Sequence, residues 1–222
     1  MDSIIRDIAV YAIPVIFAIT LHEAAHGYVA RLFGDSTAWM LGRVSINPVK
    51  HIDPIGTIVV PVVLLLFAKL AGGGFFLFGW AKPVPVNFGN LRHPKRDMIW
   101  VAAAGPAANL LMAIGWALLD PLLFAVGVQE SYFHIVASAG VIVNVMFMVV
   151  NLIPIPPLDG GRILVGVLPT SLAKTVASIE PYGLFIFIGL LVLDNQTGIL
   201  SSILFPIVSW VRSWILGLSH LF

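Results

Sequence analysis

From Ile8 to Phe33 the chain is apolar enough to cross a lipid bilayer, yet it holds His22, Glu23 and His26 in its interior. A run of this length spans as a helix, because a helix satisfies its own backbone hydrogen bonds in a medium that offers none. On a helix, residues four apart lie on one face. His22 and His26 are therefore neighbours, with Glu23 beside them. Two imidazoles and a carboxylate in hydrocarbon cost on the order of several kcal/mol for the charged group and need a reason to be there. The His-Glu-x-x-His spacing supplies one, since two imidazole nitrogens suit a tetrahedral zinc and the adjacent carboxylate suits a general base. The blander alternative is a pair of hydrogen-bonded histidines in a helix bundle, with Glu23 paired to one of them.

Charged residues make up 10% of the chain and hydrophobic ones 59%, with a mean hydropathy of +1.00. Soluble domains carry about 25% charged residues, so an integral membrane protein is expected. The polar stretches are too short to build an appended soluble domain. A net charge of +1 gives no ground for a nucleic-acid partner. The chain has no cysteine, which excludes disulfides and thiolate metal ligands. The first apolar segment lacks a cleavage-site pattern and is not read as a removable signal peptide.

A spanning helix needs about 20 apolar residues. Five segments qualify: 8–33, 98–119, 131–153, 175–193 and 199–220. Residues 55–80 differ, because Pro61, Lys69 and the Gly72-Gly73-Gly74 run interrupt them. That pattern suits a re-entrant hairpin, whose irregular backbone is buried in protein. The expected fold is an all-α polytopic membrane protein. It has about five transmembrane helices, a re-entrant hairpin, and a small β or irregular membrane-associated segment. Residues 1–222 form one membrane-embedded domain, with a catalytic core over about 8–165 and accessory helices over about 175–220.

Orientation follows from the basic residues. Residues 81–97 hold Lys82, Arg92, Lys95 and Arg96 against Asp97 alone, and Arg31, Arg43 and Lys50 follow the first helix. Both regions belong in the cytoplasm by the positive-inside rule. That is possible only if 55–80 enters and leaves on one side. The stretch near 120–130 carries Asp120 and Glu130 and fits the outer side. The N-terminus is then outside and the C-terminus inside.

A catalytic zinc site needs a third protein ligand. Asp159 is the best candidate, in the run Asn151-Leu-Ile-Pro-Ile-Pro-Pro-Leu-Asp159-Gly160-Gly161-Arg162. Its prolines forbid a regular helix and its glycines allow close backbone approach, so the carboxylate can turn back toward the metal. Taken alone, Asp159 also suits a turn or helix cap. His51 and Asp53 are rival ligands, although Asp53-Pro54 favours a structural turn. His93 reads as solvated, and His134 and His220 as interfacial. Glu180-Pro181 reads as a paired charge or hinge. Gly105 to Asn109 suits close helix packing, with Asn109 bonding a neighbouring helix. Asn144 and Asn151 both lie on the helix leading to Asp159, and either amide could donate to a developing oxyanion or hold a substrate strand.

The chain resembles the site-2 protease family of intramembrane zinc metalloproteases. The resemblance rests on His22-Glu23-x-x-His26, Asn47-Pro48 with His51-x-Asp53-Pro54, Gly105-Pro106, and the run from Asn151 to Gly161, in the family's order. It implies that His22, His26 and Asp159 bind one zinc per chain, that Glu23 is the base, and that Asn151 assists the reaction. It also implies a short bacterial-type member without PDZ or CBS domains, in the plasma membrane, whose active site opens to the cytoplasm. Its partners would be the lipid bilayer and a transmembrane protein substrate, cleaved in regulated proteolysis or in clearance of remnant signal peptides. A metal-ion transporter would use the same ligands as a midplane site. It predicts a second embedded site or an inverted repeat, and neither is evident. A non-catalytic member of the fold would be expected to lack Glu23 or a ligand, and all are present.

Overall fold

The computed structural model describes residues 2–59, 63 and 81–219. Helix α1 (Asp2–Leu32) is followed by the single turn α2 (Thr37–Met40) and an irregular stretch that contains short helical turns at Pro48–Lys50 and Pro54–Val59. An extended segment at 81–87 and a turn at Phe88–Asn90 lead to α3 (Pro94–Ala125). Then come α4 (Ser131–Asn151), α5 (Asp159–Val167), α6 (Thr170–Ala177), α7 (Glu180–Thr197) and α8 (Ile199–Ser219). No strand occurs among the described residues, so the segment expected to be β or irregular is irregular. The expected re-entrant hairpin at 55–80 lies largely outside the described residues.

Local chemistry sets the helix boundaries. Pro94 occupies the first turn of α3, where its missing N–H costs nothing, and the Asp97 carboxylate accepts from the His93 N–H at 2.8 Å. Gly198 ends α7 in the left-handed conformation, at φ 64°. The irregular stretch is stitched by side-chain caps: Asn47 Oδ1 accepts from Val49 N–H at 3.0 Å, and Asp53 Oδ1 from Ile55 and Gly56 N–H at 2.9 and 2.7 Å.

Helices α1, α3, α4 and α8 are each long and apolar enough to cross a membrane. The pair α6–α7 qualifies as a fifth span only if its 63° bend is counted within one crossing. The main core joins α3, α4 and α8 through Ala113, Ala117, Val141, Val145, Val208 and Ile215. Small residues permit the close approach: a Cβ on Gly140 would lie 2.3 Å from the Trp116 ring. Large apolar side chains such as Leu111, Phe185 and Trp210 face outward, while Thr20, His22, Asn109 and Asn144 are buried. This polar interior beneath an apolar surface suits lipid as the solvent.

The chain ends depart from expectation. Tyr132 Oη donates to Ala9 O at 2.9 Å, so the start of α1 lies at the 126–130 end of the bundle, as expected. Arg212 and Leu216 of α8 line a cavity with Asp120 and His134 at that same end. The C-terminal end of α8 is therefore beside the start of α1, not opposite it. The sequence reading counts 175–193 as a full crossing; in the structure this stretch is broken at Ser178–Ile179, and it supplies the fifth span where the bent pair is taken as one crossing.

Candidate metal centre

His22 and His26 project from one face of α1 with ring centroids 4.6 Å apart and planes nearly perpendicular. Asp159 is the first residue of α5 and reaches the same point from the other side. His22 Nε2 lies 3.2 Å from Asp159 Oδ2, His26 Nε2 lies 3.4 Å from Asp159 Oδ1, and the two Nε2 atoms are 3.0 Å apart. All three residues are buried, at 6, 9 and 7% exposure. No other such cluster of potential metal ligands occurs among the described residues.

The backbone after α4 delivers the carboxylate. Residues 152–158 fold back on themselves, and the first turn of α5 docks directly on that loop. A Cβ on Gly160 would lie 2.3 Å from Leu152 O, and one on Gly161 would lie 2.2 Å from Pro156 N. Only glycine admits this approach, which carries Asp159 to the histidines. Gly105 of α3 closes the site from a third side. A Cβ there would sit 2.4 Å from His26 Nε2 and 2.6 Å from His22 Nε2.

Hydrogen bonds to the far side of each ring define the chemistry. His26 Nδ1 is 2.7 Å from the Val101 carbonyl, which can only accept, so Nδ1 carries the proton. His22 Nδ1 is 2.6 Å from Asn109 Oδ1, also an acceptor. In the neutral rings both Nε2 atoms are then bare lone pairs, and they face each other and a carboxylate. Asp159 Oδ2 is buried and receives no hydrogen bond. With both rings neutral, three electron-pair donors converge with no proton between them. That arrangement is unfavourable without a cation, and two imidazoles with one carboxylate fit zinc with a coordination position left open. The residues present therefore fit the metal.

Glu23 is half-buried beside the pair, and its Oε2 accepts from Val84 N–H at 2.7 Å. The extended segment carrying Val84 is pinned by Lys82 N–H to His51 O at 2.9 Å and by Arg43 Nη2 to Lys82 O at 2.9 Å. Asn151 ends α4, and its Nδ2 donates to Phe147 O at 2.9 Å. His51 and Asp53 stand apart from the metal cluster: His51 Nε2 donates to Ser45 O at 2.8 Å, and Asp53 caps the turn that follows it. His93 is exposed at the start of α3, and His134 bonds Asp120 Oδ1 at 2.7 Å. Glu180 pairs with Arg162 at 3.0 Å, and His220 lies outside the described residues. The residues underestimated from sequence are Gly105 and Asn109, which read as packing and helix contacts. Their spacing of four matches that of His22 and His26, and this shared helical face was the available signal.

A family model described as peptidase family M50 matches residues 117–193, which include Asp159 but not the two histidines. YwhC of Bacillus subtilis, named as a candidate zinc metalloprotease, is 37% identical over 216 residues, covering 93% of this chain and 89% of its own. Rip2 of Mycobacterium tuberculosis, named likewise, is 30% identical over 207 residues, covering 91% of this chain and 72% of its own. Rip2 of Mycolicibacterium smegmatis is 28% identical over 202 residues, with 88% and 70% covered. No solved structure matches the chain. With relatives that match over nearly the whole chain and a buried His-His-Asp cluster beside Glu23, this multi-pass membrane protein belongs to peptidase family M50, the zinc metalloproteases of the site-2 protease type.

Proposed function

We propose that this chain hydrolyses peptide bonds within or next to transmembrane segments, with His22, His26 and Asp159 holding one zinc, Glu23 as the base, and the site open to the cytoplasm. The observation that carries this reading is the convergence of His22 Nε2, His26 Nε2 and the unbonded Asp159 Oδ2 in a buried pocket. Zinc at such a site lowers the pKa of water to about 7 and polarises a carbonyl. Glu23 takes a proton from the attacking water and returns it to the leaving amine. The Val84 N–H restrains one of its carboxylate oxygens and leaves the other for the proton. Asn151 donates to the oxyanion with the second N–H of its amide, the first being held by Phe147 O.

Support for a substrate within the membrane comes from the flank of the site. Ala24 and Ala25, the two inner positions of the His-Glu-x-x-His motif, face an apolar groove of about 700 Å³ shared with Ala108, Leu111 and Met112 of α3. The irregular residues Val44–Ile46 border it. A helical segment that unwinds there would meet lipid-like side chains together with a non-helical backbone. Support for the cytoplasmic orientation is the cluster of Arg43, Lys50, Lys82, Arg92 and Lys95 near the site end, which outnumbers Arg212 beside Asp120 at the other.

The test is zinc content of the detergent-purified protein together with cleavage of a model transmembrane substrate, beside Glu23→Gln. The expected result is about one zinc per chain in both proteins and cleavage in the wild type alone. Bound zinc without wild-type cleavage across several transmembrane substrates would overturn the protease reading.

A further inference from the structure

We propose that Asn109 and Asn144 are positioning residues that set the tautomer of His22 and, through it, the affinity of the metal centre. The inference rests on the zinc reading above and concerns residues that touch neither metal nor substrate.

The direction of every bond in the chain is forced. Asn144 Nδ2 donates to the Gly140 carbonyl at 2.9 Å, so its Oδ1 must face the other way, toward Asn109. Asn109 Nδ2 donates to that Oδ1 at 3.1 Å and to the Ala18 carbonyl at 3.3 Å, which commits both of its N–H groups. Asn109 Oδ1 is therefore turned to His22 Nδ1, 2.6 Å away, and can only accept. The proton is held on Nδ1, and the Nε2 lone pair is left for the metal. Both amides are fully buried, so no water substitutes for a lost partner. His26 reaches the same tautomer by a different device, the Val101 main-chain carbonyl, which no side-chain change removes. Of the two histidine ligands, only His22 has its tautomer under side-chain control. Outer-shell partners of this kind typically change metal affinity 10- to 100-fold.

The rival role is plain adhesion of α1, α3 and α4, and two substitutions separate the roles. Asn109→Asp keeps an acceptor for His22 Nδ1 but cannot donate to Ala18 O or Asn144 Oδ1. Asn109→Leu keeps the volume and removes the acceptor. The experiment measures zinc affinity by chelator competition, and thermal stability of the zinc-free protein, for both variants, for Asn144→Ala and for the wild type. The expected result is that Asn109→Asp lowers stability yet holds zinc within about 3-fold of wild type, while Asn109→Leu loses about 10- to 100-fold in affinity. Asn144→Ala should lie between them, because Asn109 keeps its bond to Ala18 O. Zinc bound by Asn109→Leu as tightly as by the wild type would overturn the proposal, as would affinities that track stability across the set. If Asn109→Leu does not fold, Asn144→Ala and Asn109→Asp decide: affinity retained in the former and lost in the latter refutes the relay. A wild type that binds no zinc would instead remove the metal reading on which the proposal stands.

Discussion

Gly105→Ala adds one methyl group to the middle of α3, and the structure fixes what that methyl meets. Its Cβ would lie 2.4 Å from His26 Nε2 and 2.5 Å from His22 Cε1, where an ordinary contact begins near 3.4 Å. The rings must retreat by about 1 Å, although metal–ligand distances tolerate only about 0.2 Å. Retreat is opposed by the same helix, since Val101 O and Asn109 Oδ1 hold the two Nδ1 atoms from α3. The methyl therefore pushes the rings away from the atoms that orient them. Overpacking of this kind costs about 1–3 kcal/mol in stability. Misplacement by about 1 Å costs about 100-fold in turnover, and we expect zinc affinity to fall by a similar factor, about 2.8 kcal/mol. Gly115→Ala is the control, because a Cβ there meets nothing within 4 Å on the same helix. Alanine is also the better helix former by about 1 kcal/mol, so propensity predicts the opposite sign. The assay is chelator-competed zinc affinity and cleavage of a transmembrane substrate for both variants. A folded Gly105→Ala protein that binds zinc and cleaves within about 3-fold of Gly115→Ala would refute the reasoning.

Gly161→Ala should lose zinc while the long helices persist by circular dichroism, because its methyl meets the Pro156 backbone at 2.2 Å and displaces Asp159; retained zinc would count against this account of the loop. Asn151→Ala should keep its zinc and lose about 10-fold or more in kcat, and unchanged kcat would remove Asn151 from the reaction. Asp35 is fully buried between the end of α1 and residues 87–90. Burial alone would raise its pKa, but the Thr37 hydroxyl, the Asn90 amide and the Thr37 and Asn87 N–H groups outweigh it and hold the carboxyl below the usual range. Its contribution is therefore full above the unfolded value of 3.8 and is lost as pH falls through the lower folded value. Asp35→Asn should cost about 1–3 kcal/mol at neutral pH, and melting curves of the two proteins should converge in acid; a pH-independent gap would contradict this. Removing zinc with a chelator should lower Tm in the wild type and leave Asp159→Ala unmoved, since only a ligand of the folded state stabilises it.

The legible parts of this site are those whose geometry is local. His22 and His26 share a helical face by spacing alone, and the structure finds them there. Asp159 required knowing how residues 152–158 turn back, and the Pro and Gly pattern gives the turn but not its destination. The four-residue spacing of Gly105 and Asn109 marks a shared helical face but does not name the partner of Asn109, because His22 is 87 positions away. Packing small residues and orienting a histidine leave the same trace in one chain. The four long spans were readable from apolar length. The course of the chain through α6 and α7 was not, because an apolar run reports hydrophobic length and not direction. A break of two residues at Ser178–Ile179 decides whether that length crosses or bends aside.

The same contrast locates the chemistry. Around the site, buried polar groups of the helices are matched donor to acceptor: Asn144 to Gly140, Asn109 to Ala18 and Asn144, Asp97 to His93. At the His22–His26–Asp159 cluster the matching fails: with the rings neutral, two imidazole lone pairs and a carboxylate oxygen face one another with nothing to share. Lipid cannot relieve that mismatch, and the glycines at 105, 160 and 161 bring the groups closer instead of separating them. A helix bundle has no structural use for acceptors pressed together at such cost. The mismatch is intelligible as the part of a coordination sphere that the protein supplies. In the proposed reaction, Glu23 serves as the base and the apolar groove beside Ala24 and Ala25 receives the membrane-borne peptide.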